Sequence, residues 1–132
     1  MTMTISDTVR FARLAALTNE FNGGSLEFWS GLRPASGDTP AGTLQATAPL
    51  PSTAGSINSS FTFTFAAIGD ALRVAADTIT WARFKSSSGS FVSDVDVGLA
   101  LTPSTPPEEI LLGATTGMVG AYIHIVAGIV QG

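Results

Sequence analysis

The strict alternation at residues 60–65 constrains the fold of this chain more than any other feature. Phe61, Phe63 and Phe65 stand on one side, with Thr62 and Thr64 between them. A period of two sends successive side chains to opposite faces of an extended backbone, so the segment predicts a half-buried strand and argues against a helix. Residues 91–101 repeat the signal. Phe91, Val95, Val97, Leu99 and Leu101 face one way, and Asp94 and Asp96 face the other.

Segments of similar character recur along the chain. Residues 25–31 set Leu26, Phe28 and Ser30 against Glu27 and Trp29, and residues 42–50 close at Pro49 and Pro51. Residues 78–85 carry Ile79 and Trp81, and residues 110–112 and 118–130 follow. Turn-forming stretches separate them: a loop at 33–40, a polar loop at 52–58, and Ser86-Ser87-Ser88-Gly89. Ile68-Gly69-Asp70-Ala71 predicts a tight hairpin, with glycine supplying the positive φ, or alternatively a short helix through Ile68 and Leu72. Pro103 to Pro107 forms a stiff connector.

One segment has the other period. In residues 6–22, Phe11, Leu14, Ala15, Thr18 and Phe21 follow helical spacing. Ser6 or Asp7 can cap the start by accepting a hydrogen bond from an unpaired backbone N–H. Asn22-Gly23-Gly24 suits the stop. The expectation is a mainly β fold: an antiparallel β-sandwich or jelly-roll-like domain with one N-terminal α-helix. Residues 1–132 then form one domain, with an arm at 1–5, the helix at 6–22 and the sandwich at 25–130.

Charge bears on partners. Asp, Glu, Lys and Arg make up 12% of the residues, against about 25% in an average soluble domain. Gly, Ala, Ser and Thr take their place. A surface this poor in charge is weakly defended against association, so neighbours are expected to cover much of it. The net charge is −4, and the six basic residues, Arg10, Arg13, Arg33, Arg73, Arg83 and Lys85, are scattered. No cluster is dense enough to neutralise several phosphates, which argues against nucleic acid as a partner.

Residues 110–130 contain no Asp, Glu, Lys or Arg and are long enough to cross a bilayer as a helix. Glycines at 113, 117, 120 and 128, a histidine at 124, and Glu108-Glu109 where Lys or Arg anchors belong all argue against a span. Val119, Ile123, Ile125 and Ile129 also recur on even spacings, with Tyr122 and His124 between, as in a strand. No membrane partner is expected.

Catalytic groupings are sparse. There is no cysteine, which excludes disulfides and thiolate metal sites, and there is one histidine, His124. Asp94 and Asp96 share a strand face at roughly 7 Å, a separation that inverting glycosidases use, but exposed strand faces often carry such pairs. Trp29 and Trp81 could stack on a sugar, or sit in a core or interface. Neither cofactor nor metal is expected, and no enzymatic activity.

The order of several short segments is informative. Gly23-Gly24-Ser25-Leu26-Glu27-Phe28-Trp29-Ser30-Gly31 is followed by Arg33-Pro34-Ala35 and Gly42-Thr43-Leu44-Gln45-Ala46. Later come Trp81-Ala82-Arg83-Phe84, Asp94-Val95-Asp96-Val97-Gly98 and Val126-Ala127-Gly128-Ile129. This order resembles a group of small virion proteins of tailed bacteriophages, encoded among head and tail structural genes. Phe28-Trp29 stands where that group has Ile-Tyr, and Ala82 separates Trp81 from Arg83. The resemblance implies a structural subunit of the particle: a capsid decoration, or cement, protein on the head exterior, or a tail or neck component. The implied partners are other virion proteins, the major capsid protein first, and copies of itself. Met3 and Ile5 in the arm, Trp29, Arg33 and Pro34 around the first loop, and Tyr122 and His124 near the C-terminus are the candidate contact residues.

Overall fold

The computed structural model describes residues 4, 6–35, 37–102 and 108–131. Met3, Ile5 and the connector at 103–107 lie outside the described residues. Helix α1 spans Asp7–Asn19, and the Ser6 hydroxyl caps it by accepting the Val9 N–H at 3.2 Å. It is shorter than the predicted 6–22, because the chain turns through residues 20–23 and Gly23 takes φ +67°. Phe21 therefore lies beyond the helix and is fully buried, while Phe11 on the helix is half exposed.

Ten strands follow among the described residues: β1 Ser25–Trp29, β2 Leu44–Pro49, β3 Gly55–Ile57, β4 Thr62–Phe65, β5 Ala71–Leu72, β6 Trp81–Lys85, β7 Phe91–Leu99, β8 Ile110–Leu112, β9 Tyr122–Ile123 and β10 Ile125–Gln131. Eight form one sheet in the order β2-β1-β6-β7-β8-β10-β4-β3, and β5 and β9 pair as a separate ribbon. All pairings are antiparallel except β7 with β8, where Val97 lies opposite Ile110.

The large sheet curls over on itself. Phe65 on β4 and Phe84 on β6 stack with ring centroids 5.2 Å apart and planes at 1°. Three strands separate β4 from β6 in the sheet order, so a flat sheet would hold them about 19 Å apart. Contact is possible only if the half built from β3, β4, β10 and β8 faces the half built from β2, β1, β6 and β7. Phe21 closes the seam, at 4.5 Å from Phe84 and 5.2 Å from Phe65. Leu26, Phe28, Ala46, Ala48, Ala82, Val95, Ile110 and Leu112 complete the interior. The fold is mainly β and sandwich-like, with one N-terminal helix.

Five local expectations change. Phe91 lies on the Asp94 face rather than with Val95 and Val97, its ring 5.0 Å from the Arg83 guanidinium, because the register shifts between Phe84 and Lys85. The Phe61 to Phe65 alternation begins one residue late, because Phe61 adopts φ +57°. Asn58 holds that turn, its Oδ1 accepting the N–H groups of Ser60 and Thr62 at 2.9 and 3.1 Å. Part of the expected polar loop at 52–58 is strand β3, recruited by backbone pairing with β4 rather than by its own composition. The hairpin expected at 68–71 does not form. Ala71 and Leu72 pair with Ile123 and Tyr122 instead, contacts that no local pattern encodes. Lastly, a bulge between Ile125 and Ala127 flips the parity of β10. Ile125 is buried, but Ile129 points outward and Gly128 fills the interior position.

Candidate functional site

Two surfaces hold the sequence candidates. The first is the outer face of β1, β6 and β7. Cross-strand register puts Glu27, Arg83 and Asp94 in one row, and Trp29, Trp81 and Asp96 in the next. Arg83 grips Asp94 with two parallel bonds, Nε to Oδ1 at 2.8 Å and a terminal nitrogen to Oδ2 at 3.1 Å. The side chains are only 7% and 6% exposed. The hydrogen bond that Arg83 donates to Asp94, with the carboxylate's charge, holds the Arg83 pKa above the ordinary arginine value against the opposing effect of burial. Phe91 and Trp81 flank the guanidinium at 5.0 and 5.4 Å.

The loop after β1 folds over this face. The Asp38 carbonyl accepts from Arg83 at 2.7 Å, and Arg33 reaches Asp96 at 3.2 Å. Trp29 and Trp81 stack on each other at 5.9 Å and 15°. The Trp81 indole N–H donates to the Ser30 carbonyl at 3.3 Å, and that of Trp29 to Glu27 at 3.4 Å. Trp81 is buried and offers no open ring face to a sugar, and Trp29 is half-buried. Asp94 is buried in a two-point ion pair with Arg83, while Asp96 meets Arg33 at an exposed position. This face is satisfied from within the chain. Pro34 and Arg33 sit on its lid, and Trp29 lies beneath.

The second surface is the β5–β9 ribbon. Leu72 lies opposite Tyr122, both outward, while Ala71 and Ile123 face the interior. The ribbon continues as a turn: the Arg73 N–H donates to the Ala121 carbonyl at 2.8 Å and the Gly120 N–H to the Arg73 carbonyl at 3.0 Å. Val74 lies just beyond β5, and Met118 and Val119 lie in the turn before β9. Met118 is 78% exposed, Tyr122 71% and Val119 63%. Leu72 and Val74 are also exposed. Five large exposed apolar side chains thus lie on two hydrogen-bonded segments, 72–74 and 118–122, a concentration that marks a candidate interaction surface. His124 stands at its base, its Nδ1 3.0 Å from Asp70 Oδ1.

Arg73 anchors the ribbon from beneath. It is 2% exposed. Its terminal nitrogens donate to Gln45 Oε1 at 3.1 Å, the Ala75 carbonyl at 3.1 Å, the Asp77 carbonyl at 3.0 Å and the Thr115 carbonyl at 2.8 Å. Gln45, also buried, accepts the Asp77 N–H at 2.9 Å. One guanidinium thereby pins β2, residues 73–77 and residues 113–117 together, and a buried cation needs that many partners. The ribbon stands on a rigid base.

The sequence candidates divide between these surfaces. Tyr122 and His124 belong to the ribbon; Trp29, Arg33 and Pro34 belong to the closed face. Leu72, Val74, Met118 and Val119 were missed. Val119 reads as an inward residue by even spacing, yet it sits on the turn before β9. The usable signal was Met118-Val119 beside Gly120, large apolar residues where turns usually carry polar ones. Arg73 had a hint as well, as the sole charge in Ala71-Leu72-Arg73-Val74-Ala75-Ala76.

Among the described residues no group of three or more His, Asp or Glu side chains is placed to hold a metal ion, and no helix is long and apolar enough to cross a membrane. No family model, curated protein or solved structure matches this chain.

Proposed function

We propose that this protein is a non-enzymatic structural subunit of a bacteriophage virion, a decoration subunit that binds the exterior of the head lattice through the β5–β9 ribbon. The observation carrying this reading is the ribbon itself: Leu72, Val74, Met118, Val119 and Tyr122 exposed together on a base fixed by Arg73. An exposed apolar element on a charge-poor protein gains by burial against a partner, at roughly 25 cal/mol per Å² of apolar surface removed from water. The order of segments, which resembles that of small virion proteins, points to the class of partner, the major capsid protein. Membership of the tail or neck is the second reading, supported by the same resemblance.

Mass spectrometry of particles purified from a lysate of the host carrying this sequence tests the proposal. Hundreds of copies per particle are expected for decoration. A dozen or fewer would move the protein to the neck or tail, and its absence from the particles would sink the assignment.

A further inference from the structure

The two edges of the large sheet are unequal. Edge strand β2 is covered: the Val74 N–H donates to the Gln45 carbonyl at 2.8 Å, and Pro49 ends the strand. Edge strand β3 has no strand on its outer side among the described residues. The Ala66 N–H donates to the Ala54 carbonyl and the Asn58 N–H to the Thr62 carbonyl, at 2.7 and 3.0 Å. With Ser56 opposite Thr64, residues 56 and 58 and the Ala54 carbonyl therefore face β4, while the Ala54 N–H donates to Asn22 Oδ1 at 2.9 Å. Those of Gly55 and Ile57 point the other way, with no strand beyond them among the described residues.

Natural edges are usually blunted by charge or proline. Here residues 39–69 contain no Asp, Glu, Lys or Arg at all. Beside this edge runs a groove of about 280 Å³, walled by Phe11 and Ala15 of α1 and by Ile57 and Phe63. An extended segment laid there could form backbone hydrogen bonds with Gly55 and Ile57. It could also bury alternate side chains in the groove, as in recognition by strand addition.

We infer that the groove takes residues 1–5 of a second copy of this chain as an added strand. Met1-Thr2-Met3-Thr4-Ile5 has the required pattern, apolar at every second position and uncharged, with threonines for the outer face. Five extended residues reach about 16 Å, enough to run the length of β3. The donor is a neighbour for a geometric reason. The groove starts at Phe11, about 7.5 Å along the helix from Ser6, and Ser6 is extended at φ −69°, ψ 156°. To enter its own groove the arm would have to double back at once, and residues 1–5 contain no Gly, Pro, Asn or Asp to turn on. The inference is independent of the virion assignment, since it concerns contacts between copies.

Sedimentation velocity of the full chain from 1 to 100 µM, against a variant lacking residues 1–5 and an Ala15→Glu variant, tests it. The full chain should associate. Both variants should weaken association at least tenfold while keeping the same circular dichroism spectrum. Isotope-filtered NMR on a mixture of labelled and unlabelled chains should give contacts from Met3 and Ile5 of one copy to Phe11 and Ile57 of another. A full chain monomeric throughout this range, undiminished association without the arm, or arm contacts confined to one copy would each overturn the inference.

Discussion

Asp94 and Asp96 stand two residues apart on one strand face and have different physical fates. Asp94 forms a bidentate, desolvated pair with Arg83, while Asp96 meets Arg33 at an exposed position. Removing one partner of a buried pair strands the other charge, which costs about 3–5 kcal/mol, whereas an exposed pair contributes roughly 0–1 kcal/mol. Asp94→Ala should therefore lower the urea midpoint sharply and Asp96→Ala hardly at all. Equal effects would contradict the burial of the first pair. The pH dependence follows from the raised Arg83 pKa. A group whose folded pKa is raised contributes fully below its unfolded value and loses that contribution only as pH climbs through the folded one. For arginine that window lies far on the alkaline side, so stability measured from pH 7 to 10 should show no transition removed by Arg83→Met.

Strand β10 shows how an element can depart from its own sequence pattern. The bulge after Ile125 moves Gly128 to the inside, where an added Cβ would lie 2.8 Å from Phe65 Cδ2 and 3.0 Å from Ile110 Cδ1. Gly128→Val should overpack this seam and destabilise the fold by about 1–3 kcal/mol, measured by urea denaturation. The β5–β9 ribbon behaves oppositely. Its outward side chains touch little, so Met118→Glu combined with Val119→Asp should change stability by no more than about 0.5 kcal/mol per site. The same pair of changes should abolish incorporation into particles. Unimpaired incorporation would remove the ribbon from the interface.

At the scale of the whole molecule, three of the eight pairings, β1 with β6, β4 with β10 and β5 with β9, join parts of the chain about 50 or more residues apart. β10 lies between β4 and β8, and β5 waits for β9. Loop closure must precede those contacts, so folding should take milliseconds to seconds rather than microseconds. Stopped-flow tryptophan fluorescence can follow it, because Trp29 and Trp81 stack only once β1 and β6 have paired. A microsecond phase carrying the full amplitude would contradict this topology.

Local sequence determined the elements whose pattern matches their own burial. The alternation through Phe63 and Phe65, that through Val95 and Val97, and the Ser6 cap of α1 were all legible, because each depends on spacing along a few residues. Tyr122 and His124 were also legible, as outward residues between buried isoleucines. Tertiary structure alone decided the partner of Ala71 and Leu72, the conversion of residues 55–57 into a strand, the bulge in β10 and the burial of Arg73. Each of these is fixed by hydrogen bonds or steric contacts from remote segments. Periodicity reports which way a side chain faces; it carries no record of what the opposite strand will be.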